Sequence, residues 1–291
     1  MTGTSRMALQ AKDIVFTRYD GRRGVSWLAE SYAMLSKHRV GWLTLVVSYY
    51  LLLAVVEALP WIGVYVAPII KPLMSVAFLA AAWTQERGGR PQLRMLLQGF
   101  RSNVWTLLPL GVVLVAGISL AVAATSLIDG GRLLDLLYGA APADADAAAA
   151  AQRLHETLAS PRVELGMVFG AICALPTILA LWWAPALVVF QDARLATALA
   201  ASLRAALANW RPVLRYAAVV FVLGGIVPSL VTSMVALIVP EPFSATLAMA
   251  LLLPYLALFV TTLHISDYVS YRDVFHAGET LAPIGRVNEP G

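Results

Sequence analysis

Apolar residues run almost uninterrupted for the width of a bilayer six times along this 291-residue chain: at 41–59, 62–83, 105–128, 166–190, 213–238 and 243–264. At 1.5 Å rise per residue, runs of this length span the ~30 Å hydrocarbon core as α-helices, whose backbone groups satisfy one another without water. The pattern predicts an all-α fold, a polytopic six-span transmembrane bundle. Only Pro60 and Trp61 separate the first two runs, which predicts a tight helical hairpin. Flanking these runs, the chain divides into an N-terminal tail (1–23), a membrane domain (24–275) with a long connection at 129–163, and a C-terminal tail (276–291).

Three segments preceding spans one, three and five carry a second pattern. They are residues 27–42, 93–105 and 195–212, each an amphipathic run followed by basic or amide residues and a tryptophan. In the third, Leu195, Leu199, Leu203 and Leu207 recur every four positions. This periodicity predicts interfacial helices, with Trp42, Trp105 and Trp210 near headgroup depth. The 129–163 connection predicts a short RLLDLL helix and, after Asp144 and Asp146, an alanine-rich one. It reads as a cap over the bundle, with docking of an envelope protein partner as the sharper alternative.

Composition closes off soluble readings. The chain is 59% hydrophobic and 13% charged, against ~25% charged for soluble domains, which leaves no room for a large extramembrane catalytic domain. A net charge of +4 points to basic flanks of membrane helices rather than nucleic acid, because no dense basic face accompanies stacking aromatics. Seventeen of the 21 Lys and Arg lie in the termini and the connections after spans two and four; Arg132, Arg153 and Arg162 lie in the opposite connections and Lys71 within span two. The asymmetry predicts both termini in the cytoplasm. No removable signal peptide is evident, and the single Cys173 reads as a packed thiol.

Candidate chemistry is sparse. Lys71 stands between Pro68 and Pro72 inside span two, where a charge needs a partner or water. An ion pair with Glu57 across the hairpin is the favoured reading, an anionic site or gated polar cavity the other. Arg94, Arg101, Arg204 and Arg211, with Lys37 and Arg39, are candidate contacts for anionic lipid headgroups. Pro109, Pro176, Pro185, Pro228 and Pro254 mark breaks in the other spans; Asp192 reads as a helix cap and Asn209 as a helix terminator. His264, Asp267, Asp273 and His276 read as a solvated helix end rather than a metal centre, since HExxH spacing is lacking. With no nucleotide loop or nucleophile elbow, the expectation is a non-enzyme with no cofactor, no metal and no nucleic acid, whose partners are membrane lipids.

The segment LWWAPALVVFQDARLATALAASLRAALANWRPVLRY, through Pro185, Asp192, Ala198, Ser202, Asn209 and Trp210, resembles BPSS1780-type proteobacterial membrane proteins. It is more distantly similar to YciC-like proteins and to the membrane domain beside some glycerophosphodiester phosphodiesterases. The resemblance covers residues 24–275 and implies a six-span inner-membrane protein without a settled activity. It carries over no phosphodiesterase chemistry, because the catalytic domain is absent from this sequence. The expectation is envelope or lipid organisation through partners, with a small-molecule or lipid transporter as the alternative.

Overall fold

The structure, a computed structural model, describes residues 14–139 and 147–277. Arg6, Lys12, Asp144, Asp146 and residues 278–291 of the expected tails and connection lie outside them. Among the described residues every regular element is helical. A helix α1 (Arg22–Lys37) leads into the first span, α2 (Arg39–Glu57), which reverses into α3 (Gly63–Glu86). The third span is α4 (Val104–Asp129), followed by the short α5 (Arg132–Tyr138) and α6 (Ala147–Leu158). The fourth span is broken at Trp183 into α7 (Pro161–Trp182) and α8 (Ala184–Gln191), with Pro185 at the start of the second piece. Then come α9 (Leu195–Ala208), a fifth span built of α10 (Trp210–Phe221), a π turn at 222–226 and α11 (Val227–Ile238), and finally α12 (Phe243–Phe275).

Six of these helical stretches are long and apolar enough to cross a membrane. The chain is an integral membrane protein. Its axle is α3, 61% buried over its most apolar window, whereas the fifth span is 6% buried and turns nearly all its side chains outward. Around α3 pack α2, α4, α8 and α12; α7 pairs with α4, and α11 with α12. Close approach of α4 to α3 depends on Gly111, where a Cβ would stand 2.0 Å from the Ile69 carbonyl oxygen.

One end of the bundle carries α1, residues 87–103 and α9, and is called the basic end here. Two of its three expected interfacial helices form. The middle one does not: residues 93–97 and 99–101 are 3₁₀ turns, folded against α3. Gly99 sits so close to the Leu73 carbonyl that a Cβ there would be 1.8 Å from it, and this wedge leaves no length for an α-helix. On α9 the buried stripe is not the leucines but Ala198, Ala201, Ser202, Ala205 and Ala206, because small side chains let it lie close on α7 and α8. Trp105 and Trp210 are exposed as bilayer-facing anchors should be, but Trp42 is fully buried and donates its indole N–H to Gln85 Oε1 at 2.6 Å. Trp42 is a core residue, not a headgroup anchor.

Candidate functional site

The sixth span does not end at His264. Its helix has 33 residues, about 50 Å at 1.5 Å per residue, and residues 261–275 are mostly enclosed: Ile265, Ser266, Tyr268, Val269, Ser270 and Tyr271 are all fully buried. The expected solvated helix end is therefore a buried core, because α1 and the irregular segment 14–20 are laid across it. Thr17 N–H donates to the Val274 carbonyl at 2.7 Å, and Tyr19 N–H to Asn209 Oδ1 at 2.8 Å. Asn209 closes α9 as expected and returns its own amide to the Thr17 carbonyl at 3.0 Å.

Burying so long a helix requires partners for its polar side chains, and aromatic donors supply them. Ser266 meets the Tyr216 hydroxyl at 2.7 Å, Asp267 accepts from the Trp182 indole at 3.2 Å, Ser270 from the Trp183 indole at 2.9 Å, and Asp273 from the Trp27 indole at 3.0 Å. Trp182 and Trp183 stack at 4.9 Å, and Trp27 meets both edge-on at 6.4 Å. Above this cluster five charges interlock. Asp273 accepts from Arg23 Nε at 2.5 Å and from Arg272; Arg272 also pairs with Glu86 and Glu30, and Glu30 with Arg23 at 2.7 Å. The hydrogen bond to Asp273 raises the Arg23 pKa, and burial, with the Asp273 charge second, raises that of Tyr19. Arg23, Trp27, Glu30, Glu86 and Arg272 were not singled out in the sequence. The signal was there in the spacing of Ser266, Ser270 and Asp273 at i, i+4 and i+7, a polar stripe along one helix face.

Deeper in the bundle, Ser75, Trp182, Pro185, His264 and Asp267 line a cavity of about 20 Å3, room for one water molecule. His264 stacks on Phe78 at 4.0 Å, and its Nε2 lies 3.2 Å from the Tyr50 hydroxyl. Beside it on the outer surface, an apolar groove of about 410 Å3 runs between α2 and α12, lined by Val46, Val47, Tyr50 and Leu51 on one wall and Leu253, Leu256, Ala257 and Val260 on the other.

The residues singled out in the sequence fall differently. Glu57 and Lys71 form no ion pair: Glu57 is exposed at the hairpin turn, its carbonyl level with Gly63, while half-buried Lys71 lies eight residues further along α3. Eight residues of helix are about 12 Å, too far for a pair across the reversal. Asp192 does not cap α9; it adopts a left-handed backbone (φ 52) and accepts from the Asn103 amide, tying the 3₁₀ region to the α8–α9 turn. Among the described residues no group of three or more His, Cys, Asp or Glu is placed to hold a metal ion.

Arg94, Arg101, Arg204 and Arg211 are all exposed, and none joins the ion pairs among the described residues. They belong to a wider asymmetry. Around the basic end the exposed cations are Arg18, Arg22, Lys37, Arg39, Arg87, Arg90, Arg94, Arg101, Arg194, Arg204, Arg211 and Arg215, against exposed Asp20, Glu86 and Asp192. At the opposite end exposed Arg132, Arg153 and Arg162 face Glu57, Asp135, Glu156, Glu164 and Glu241. Among the described residues this is 12 cations to 3 carboxylates at one end and 3 to 5 at the other. Glu30 and Asp273 are drawn into ion pairs with Arg23 and Arg272, two carboxylates against two cations, so the basic excess of the rim is carried by the other exposed cations.

No family profile matches the chain, and no solved structure matches it. Over 268 residues it is 25% identical to a protein of Burkholderia thailandensis named a probable inner membrane protein, covering 90% of this chain and 94% of that one. The similarity is thus to a proteobacterial membrane protein, over nearly the whole length of both.

Proposed function

We propose that the protein resides in a bacterial inner membrane with its basic end and both termini in the cytoplasm, and organises anionic phospholipid around that end without catalysing a reaction. The observation that carries this reading is the 12 to 3 excess of exposed cations over carboxylates on one rim of a six-span bundle. Cations beside a span are retained on the cytoplasmic side, and each near the surface of an anionic leaflet gains about 1 kcal/mol. The named relative and the similarity of residues 181–216 to BPSS1780-type proteins support the same location and kind. At the opposite end α5 and α6 act as a cap on the bundle, the place for an envelope partner if one binds. A small-molecule or lipid transporter is the second reading, favoured by the polar cavity at Ser75, His264 and Asp267; a path through it requires the helices to part, since the space holds one water.

Orientation is tested by single cysteines at Arg90 and His155 in a Cys173→Ala background. An impermeant thiol reagent added to intact cells is expected to label position 155 and spare position 90; the reverse pattern overturns the orientation. The lipid role is tested by native mass spectrometry of wild type and of R94Q/R101Q/R204Q/R211Q, released from membranes with matched anionic and neutral lipids. Four lost headgroup contacts of about 1 kcal/mol each, partly screened by salt, lower the retained anionic-to-neutral ratio on the order of a hundredfold. An unchanged ratio in a folded variant rejects the role assigned to these arginines.

A further inference from the structure

We propose that the groove between α2 and α12 seats one acyl chain of an anionic phospholipid, with the phosphate held at Arg39 and Lys37. This rests on the lipid reading above and gives it a specific seat, built on cations other than the four arginines tested there.

Four observations select the occupant. The groove's volume of about 410 Å3 holds roughly a dozen methylenes, taking a methylene to fill about the ~30 Å3 of a water molecule. Val47, Tyr50, Leu51 and Leu253 are 45–68% exposed, so the groove opens sideways toward hydrocarbon rather than into the bundle. Its one polar lining residue, Tyr50, has its hydroxyl against His264 Nε2, which leaves the ring as wall and no unpaired hydroxyl facing a chain. Arg39, exposed at the first turn of α2, precedes Val46 by seven residues and Tyr50 by eleven. At 100° per residue those three positions lie within about 20° of one helix face, with Arg39 about 10 Å above Val46.

Charge then decides which way the lipid points and which lipid it is. Lys37 and Arg39 are exposed and take no part in the ion pairs among the described residues. The other end of α2 carries exposed Glu57, which repels an anionic head. Within a bilayer the chain gains no hydrophobic energy by leaving other chains, so the preference for this seat comes from close packing in the groove and from the headgroup contact.

The experiment is photo-cross-linking in reconstituted vesicles, using phosphatidylglycerol and, separately, phosphatidylcholine, each with a diazirine halfway along one chain. Cross-links from phosphatidylglycerol are expected to concentrate on residues 46–51 and 253–260, several-fold above residues 227–238 of the equally bilayer-facing α11. Ala257→Trp, or Leu253→Trp at the open edge where packing is slack, is expected to abolish that concentration. K37Q/R39Q is expected to lower the phosphatidylglycerol yield at the groove on the order of tenfold, two contacts of about 1 kcal/mol each less salt screening, to the phosphatidylcholine level. The variant R204Q/R211Q, whose helices α9 and α10 pack chiefly on α7, α8 and α1 rather than on α2, is expected to leave groove cross-links unchanged. Even labelling of the groove and α11, or persistence in both tryptophan variants, overturns the seat. Equal yields from the two lipids in wild type overturn its anionic selectivity. Groove labelling that survives while the four-arginine variant keeps its lipid ratio rejects the rim reading and leaves the seat standing.

Discussion

Asp273→Ala is expected to destabilise the folded protein by about 3 kcal/mol, the loss of one buried hydrogen-bonded charge discounted for partners that reach solvent. The side chain is 8% exposed and accepts from Arg23, Trp27 and Arg272 at once. Removing it leaves the Trp27 indole N–H without an acceptor inside the aromatic cluster, which is the larger part of the cost. The two guanidiniums are about 30% and 26% exposed and keep Glu30 and Glu86, so they are not stranded. Asp273→Asn preserves an acceptor and is expected to cost about half as much. Reversible unfolding in mixed micelles, followed by tryptophan fluorescence and far-ultraviolet circular dichroism, measures both. If D273A unfolds within 0.5 kcal/mol of wild type, the five-charge cluster is a surface ornament and does not tie α1 to α12.

Gly111→Val is expected to cost about 3 kcal/mol or more, at or above the upper limit for overpacking a core. A Cβ at this position would meet backbone, the Ile69 carbonyl oxygen at 2.0 Å, and no rotamer change can relieve that. The central α3 and its neighbour α4 must part by more than 1 Å, about the distance to ordinary contact, and dispersion contacts along the whole seam weaken together. Gly225→Ala is the matched control. Its Cβ would lie 3.7 Å from the Phe221 ring, within ordinary contact, so its stability is expected within about 1 kcal/mol of wild type, toward gain if helix propensity dominates. The comparison fails if both variants unfold alike, and the proximity of α3 and α4 then carries no stability.

How much could be read beforehand depended on the range of the interaction. The six spans were legible because hydrocarbon acts on each helix alone: length and apolarity suffice, and α2, α4 and the fifth span begin and end within a few residues of their expected limits. The short α5 and α6 followed from local propensity in the same way. The sixth span was cut at His264 because His264, Asp267, Asp273 and His276 look like a helix emerging into water. The polar stripe of Ser266, Ser270 and Asp273 shows only that one face of this helix needs partners or water; nothing local to residues 265–275 says that Trp27, Trp182 and Trp183, more than 80 residues away in sequence, supply them. The same blindness put Glu57 with Lys71, since hairpin adjacency was readable and the 12 Å axial offset was not.

By itself, then, the sequence determined an all-α membrane protein, the number and course of its spans, and which connections are basic, because each of these follows from a residue's own transfer free energy or charge. The tertiary structure alone decided which charges remain on the surface. Arg23, Arg272, Glu30, Glu86 and Asp273 are consumed in one another, while Arg39, Arg94, Arg101, Arg204 and Arg211 are left facing outward. Pairing depends on distances of a few ångströms between groups distant in the chain, so only packing could separate charges that hold the fold together from those still available to a lipid.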